Sequence, residues 1–365
     1  MSVPERVSIR EVGPRDGFQN EPETIPTERK VELIDALART GIKRLEVTSF
    51  VRADVIPQLA DAEEVLARID VPAEVAVSVL IPNERGLERA LALLERGWEG
   101  IGRQAGRDGG RNGGGRGGDE RASTNRPLFD EINVFLSASE THNRRNVNRS
   151  IEESLAGLET VLTRARQEGL RCEGVISTSF GCPYEGHVPP ERVLQIATRL
   201  REAGAQEIGF GDTTGMANPR QVAEFFELAR ERLGAGRTAG AAGGAAVGAV
   251  MGAVDAATAD VQLTAHFHNT RGQGLANVLA ALQAGIDSFE SSFGELGGCP
   301  VPAGATGNIA TEDLVSMLAE MGIETGIDLD VLLACARRVQ EILGRPLGSH
   351  TLVAGPVDWR EHAGR

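Results

Sequence analysis

The chain has 365 residues, and its 52 Asp and Glu outnumber 38 Lys and Arg to give a formal net charge of −14. That balance argues against nucleic acid as a partner, because a general polyanion surface needs a basic stripe, although a local basic pocket for one anionic ligand stays open. Cys172, Cys182, Cys299 and Cys335 are scattered without a C-x-x-C pair, which suggests neither a zinc knuckle nor a disulfide framework and fits a cytoplasmic protein with reduced thiols. The opening MSVPERVSIREV runs almost directly into an alternating strand, without the apolar core of a secretory signal or the Arg/Ser-rich helix of a transit peptide.

In chain order, strand patterns are predicted at 7–12, 43–50, 74–82, 131–139, 173–180, 206–213, 261–269 and 287–293. Helical patterns fall between them, including TERKVELIDALARTG, ESLAGLETVLTRARQEG, PERVLQIATRLREAG and GLANVLAALQAG. Eight strand–helix units in series point to α/β architecture of the closed (β/α)8 TIM-barrel kind rather than to an open doubly wound sheet. The barrel is expected over residues 1–330, with a C-terminal helix and tail over 331–365. Two low-complexity loop insertions interrupt the rhythm. The stretch 103–126 is rich in Gly and Arg and has no aromatic residue, so it lacks the apolar surface to offset its ordering entropy and is expected to be a disordered loop. An RNA- or protein-binding tract is the alternative, weakened by the lack of aromatics for base stacking. The stretch 234–258 is Ala/Gly-rich and uncharged from Thr238 to Val254; such small side chains give little transfer energy, so a surface insertion is expected there and no membrane span.

A barrel of this kind builds its active site at the carboxyl ends of its strands. Polar residues collect there: Arg15, Asp16 and Gln19 after strand one, Glu46 and Ser49 after strand two, Asp212 and Thr213 after strand six, His266 and His268 on strand seven, and Cys299 and Asn308 after strand eight. Taken singly, Asp and Ser at such positions are ordinary turn formers or helix caps. The H-x-H spacing puts both imidazoles on one side of a strand, where they can share a guest. Asp16, His266, His268 and Asn308 form a mixed O/N donor set with room for water and a chelating substrate, which favours octahedral Mg2+ or Mn2+. Zinc is disfavoured because no thiolate is placed to join the histidines, and Cys299 sits in a glycine-flanked loop suited to movement.

The segments GPRDGFQNE (13–21), LEVTSFV (45–51), IPQLADAEEVL (56–66), GCPYEG (181–186), GDTTG (211–215), HFHNTRGQGLAN (266–277) and GGCPVPAGATGNIATEDLV (297–315) together resemble the 3-hydroxy-3-methylglutaryl-CoA lyase family of metal-dependent lyase and aldolase barrels. The resemblance runs from about residue 7 to residue 330, broken by the two biased stretches. It implies a TIM barrel, a divalent cation, an acyl-CoA substrate, and cleavage of 3-hydroxy-3-methylglutaryl-CoA to acetyl-CoA and acetoacetate. It also implies metal ligation by Asp16, His266, His268 and Asn308, enolate stabilisation by Arg15 and acid/base work by Cys299. Breaking a carbon–carbon bond beside a tertiary alcohol requires removal of the hydroxyl proton, for which Asp212 or His266 is suited. Glu46 would orient Arg15 or a ligand, with Gln19, Ser49 and Thr213 expected against the substrate.

Two positions depart from the pattern. Glu295 stands before Cys299 where small residues are usual, and Val301 follows Cys-Pro where a larger side chain is common. They leave the exact 3-substituent of the acyl-CoA open. A condensing acyltransferase of the same superfamily shares the Arg-Asp pair and H-x-H, but typically carries G-E-R-x-G-N where this chain has GGCPVPAGATGN. A noncatalytic scaffold using the Arg/Gly tract is the alternative from outside the enzymes. Association into a homodimer is ordinary for such barrels.

Overall fold

The computed structural model describes residues 3–96, 127–235, 260–298 and 306–357. The strands are β1 (Ser8–Glu11), β2 (Arg44–Ser49), β3 (Ala76–Leu80), β4 (Glu131–Ser137), β5 (Arg171–Ser177), β6 (Glu207–Asp212), β7 (Gln262–Phe267) and β8 (Ser288–Ser291). Each pairs in parallel with the next, and β8 pairs with β1 to close the barrel. All eight predicted strands are present, and β5 begins two residues ahead of its predicted start. Around them lie α1 (Thr27–Leu37), α2 (Ala62–Arg68), α3 (Glu84–Arg96), α4 (Glu140–Val147), α5 (Ile151–Gln167), α6 (Pro190–Glu202), α7 (Pro219–Leu233), α8 (Gly274–Gln283), α9 (Thr311–Glu320), α10 (Leu329–Leu343) and α11 (His350–Ala354). No helix among the described residues is long and apolar enough to cross a membrane.

Local chemistry sets these boundaries. Ser150 and Glu153 form a reciprocal capping box at the start of α5, satisfying two otherwise orphaned amides. Asn218 accepts from the Gln221 amide just before Pro219, and α7 stops at Gly234 with φ 63°, a left-handed conformation that glycine adopts without steric cost. The predicted 330/331 boundary falls inside α10. That helix buries Leu332, Leu333, Ala336 and Val339 and joins α1 through Arg338 Nε to Glu32 Oε1 at 2.7 Å. The windows 103–126 and 236–258 lie outside the described residues.

Along β4 the apolar Ile132, Val134 and Leu136 are fully buried; they alternate with Glu131, Asn133 and Phe135 along the pleat. The polar members of that second set meet charged partners from other strands. Arg10 pairs with Glu173 and with Glu290 (2.8 Å), and also lies 3.3 Å from both Glu131 and Glu207. Arg44 meets Glu131 at 2.9 Å and Glu207 at 2.5 Å, while Arg171 meets Glu207 at 3.0 Å. Branched apolar residues usually dominate the interior of such a barrel; here an ionic layer occupies part of it. The buried members need one another, since removing one partner of a buried pair costs about 3–5 kcal/mol.

Candidate metal centre

After β1 the chain enters a single wide helical turn, Gly13–Gly17, and Phe293 packs so closely that a Cβ on Gly13 would sit 2.4 Å from its ring. Buried Glu11 accepts hydrogen bonds from the amides of Gly13 (2.7 Å) and Phe293 (3.0 Å) and from Thr311 Oγ1 (2.6 Å). The ends of β1 and β8 are thereby tied together, and Arg15 and Asp16 sit on the turn between them and the mouth. Asp16 Oδ1 accepts from Arg15 Nη1 and Gln19 Nε2, each at 2.8 Å, and Asp16 Oδ2 accepts from Asn308 Nδ2 at 2.7 Å. Arg15 Nη2 reaches Glu46 Oε2 at 2.6 Å, and Asn133 Nδ2 donates to Glu46 Oε1 at 3.0 Å. Both Glu46 and Ser49 lie within β2 and not after it, and a register irregularity follows Glu46 in the β2–β3 pairing.

On β7, Phe267 is fully buried against Phe180, with ring centroids 5.9 Å apart. Its burial, worth about 1.5–3 kcal/mol, turns the two flanking imidazoles to the other side of the strand. His266 Nε2 and His268 Nε2 approach to 3.2 Å, and ligand atoms of Asp16, His266 and His268 all lie within 4.8 Å of one another. Asn308 joins them through an antiparallel bridge to His268, secured by the Ile309 amide to Phe267 O at 3.0 Å and the Asn269 amide to Gly307 O at 3.1 Å. Gly297, at φ +100°, passes so close that a Cβ would lie 2.7 Å from Asn308 Nδ2 and 3.2 Å from Asp16 Oδ2.

These residues fit a divalent cation. Neighbouring ligand atoms on an octahedral ion with bonds near 2.1 Å stand about 3 Å apart, close to the separation of the two Nε2 atoms. Asn308 Oδ1 is buried without a hydrogen-bond partner, an acceptor that a cation would satisfy. Burial and the neighbouring His266 push the His268 pKa down to about 4, which keeps that ring neutral. Burial disfavours the Asp16 carboxylate, but Arg15 and both histidines outweigh it and hold its pKa below the ordinary range.

Asp212 ends β6. Its Oδ1 accepts from the amides of Met216 (2.7 Å) and Ala217 (3.1 Å), whereas Oδ2 has no hydrogen-bond partner. Burial, only partly opposed by those amides, raises its pKa to about 7. The hydroxyls of Ser49 and Thr213 serve the backbone, accepting from the amides of Val51 and Thr178, each at 3.2 Å. Glu295 bonds to Thr306 and Asn269 and packs against Gly348. Cys299 and Val301 lie outside the described residues. Sequence reasoning missed Asn133, which orients Glu46, and Glu290, whose Oε2 meets His266 Nδ1 at 2.8 Å; residue type alone marks neither as facing the barrel interior.

Comparison with known proteins gives a consistent picture. The HMGL-like family model matches residues 6–235 and 225–339. The chain is 41% identical over 352 residues to hydroxymethylglutaryl-CoA lyase YngG of Bacillus subtilis, covering 96% of this chain and 98% of that one. The crystal structure of the Bacillus subtilis HMG-CoA lyase superposes with a TM-score of 0.79 at 40% identity, covering 97% of this chain and 99% of that one. An HMG-CoA lyase from Acinetobacter baumannii, in complex with coenzyme A and 3-methylmalate, gives 0.78 at 34% identity, covering 98% and 97%. A family model spanning most of the chain, and a relative this similar over nearly its whole length, place the chain in the HMGL-like family.

Proposed function

We propose that the protein cleaves 3-hydroxy-3-methylglutaryl-CoA to acetyl-CoA and acetoacetate, with Mg2+ or Mn2+ held by Asp16, His266, His268 and Asn308. The observation that carries this reading is the convergence of one carboxylate from the turn after β1 and two imidazoles from the end of β7 and the residue just beyond it, with Arg15 bonded to that carboxylate. Mixed oxygen and nitrogen donors, with no thiolate in the set among the described residues, favour Mg2+ or Mn2+ over zinc. When bound, such a cation supplies Lewis acidity that lowers the proton affinity of a substrate hydroxyl.

The protein's own groups carry the remaining work. Asp212, with Oδ2 free of protein partners, takes the proton of the tertiary hydroxyl. The bond between C2 and C3 then breaks, its electron pair passes to the thioester as an enolate, and C3 becomes the ketone carbon of acetoacetate. Arg15 stabilises the negative charge developing on the thioester oxygen. Burial disfavours its charge, but Glu46 and Asp16 more than offset this and keep the guanidinium protonated. Cys299, by the family resemblance, returns a proton to C2 and releases acetyl-CoA. Gln19 acts through Asp16, to which it is bonded.

A base with a pKa raised to about 7 must lose its proton before it can act, so kcat/KM rises with pH through that region and levels off above it. Asp212→Asn is expected to abolish this limb and lower turnover by about 10²–10⁴, as read from pH–rate profiles of both proteins. Product analysis tests the overall reading. Incubation with 3-hydroxy-3-methylglutaryl-CoA is expected to yield acetyl-CoA and acetoacetate in equal amounts; preferential turnover of a longer 3-substituent, or condensation of acetyl-CoA with a 2-oxo acid instead, would contradict it.

A further inference from the structure

We propose that Glu290 is a positioning residue for the cation site: it grips the Nδ1 edge of His266 so that the Nε2 lone pair faces the ion, and Arg10 holds it in place. The proposal rests on the reading of Asp16, His266, His268 and Asn308 as a cation site. Glu290 is the cross-strand neighbour of His266 on one side and of Arg10 on the other. Its carboxylate divides accordingly, Oε2 to His266 Nδ1 and Oε1 to Arg10 Nη1, each at 2.8 Å. Arg10 is itself fixed by Glu173, with Glu131 and Glu207 at 3.3 Å, so the Glu290 rotamer is held from both ends.

The two histidines are oriented by different means. His268 Nδ1 has no side-chain partner; the ring meets the Thr306 backbone, and the residue is held just beyond β7 by the backbone bridge to Asn308. His266 depends on a side chain. A carboxylate accepts hydrogen bonds and cannot donate one, so the proton of a neutral His266 resides on Nδ1 and Nε2 is left as the ligand atom. An amide at position 290 breaks this logic in either orientation. With its NH2 toward Arg10, donor faces donor; with its NH2 toward Nδ1, the ring proton is driven to Nε2, where it blocks ligation.

The test compares chelator-stripped parent and Glu290→Gln by calorimetric titration with Mn2+, with melting of both in chelator as the measure of fold. Mn2+ binding is expected to weaken about 10–100-fold in Glu290→Gln, with a cooperative melt retained. In parallel, 15N-histidine NMR of the cation-free parent at alkaline pH is expected to show His266 protonated on Nδ1. Parent-like Mn2+ affinity in folded Glu290→Gln overturns the proposal and leaves the cation site standing. A parent that binds no Mn2+ overturns both. Should Glu290→Gln not fold, the parent spectrum decides alone: an Nε2-protonated His266 refutes the assignment and an Nδ1-protonated ring supports it.

Discussion

Asp16→Asn is expected to weaken cation binding on the order of 10³-fold and to reduce turnover at limiting cation accordingly. Asp16 is the only carboxylate in the three-residue cluster, and one charge–charge contact at about 4 Å is worth about 4 kcal/mol at an effective dielectric of 20. The substitution preserves shape, and an asparagine oxygen can still accept from some of the present donors, Arg15, Gln19 and Asn308. Folding should therefore suffer far less than binding. Mn2+ titration of the folded variant measures the effect directly, and saturating cation should recover part of the activity. Undiminished affinity would remove Asp16 from the ligand set.

The second large effect is expected at Arg15. Arg15→Met should lower kcat by about 10²–10³, the usual cost of losing a group that stabilises a developing oxyanion. It should also destabilise the fold, because fully buried Glu46 loses its cationic partner and keeps only Asn133; breaking a buried pair from one side costs about 3–5 kcal/mol. The two consequences can be separated. Adding Glu46→Gln to Arg15→Met removes the stranded charge, so the double variant should regain much of the lost melting temperature without regaining turnover. Recovery of turnover along with stability would mean that Arg15 serves the fold and not the reaction.

The parts of this molecule that were legible in the sequence are those governed by local periodicity. The strand pattern of EINVFLS follows from Ile132, Val134 and Leu136 facing the helices, and that outward face imposes a period of two whatever lies inside. The H-x-H pair was legible for the same reason, with Phe267 as its buried counterweight. The ionic layer was not. Arg10 and Glu290 are 280 positions apart, and nothing in SIRE or SFES distinguishes a charge aimed at the barrel axis from one aimed at water. Gln19, Ser49 and Thr213 were located in sequence, but their partners depend on loop geometry that residue type does not encode: Asp16 for the first, and the amides of Val51 and Thr178 for the others. Glu46 and Ser49 lie inside β2, whose pattern is legible, but the partner each meets within the barrel is not encoded by residue type.

Glu295 shows the same dependence on loop geometry. Read in sequence, an extra carboxylate near Cys299 suggests an altered substrate range. In the fold its bonds go to Thr306 and Asn269, and Gly348 lies against it, so it braces the turn after β8 against the C-terminal segment.

Chelation and add-back probe the central claim most directly. Protein stripped of divalent ions and supplied with 3-hydroxy-3-methylglutaryl-CoA should release no acetoacetate, and Mg2+ or Mn2+ should restore release in the parent but only weakly in Asp16→Asn. Acetoacetate release that continues unchanged after complete removal of divalent ions would contradict the account.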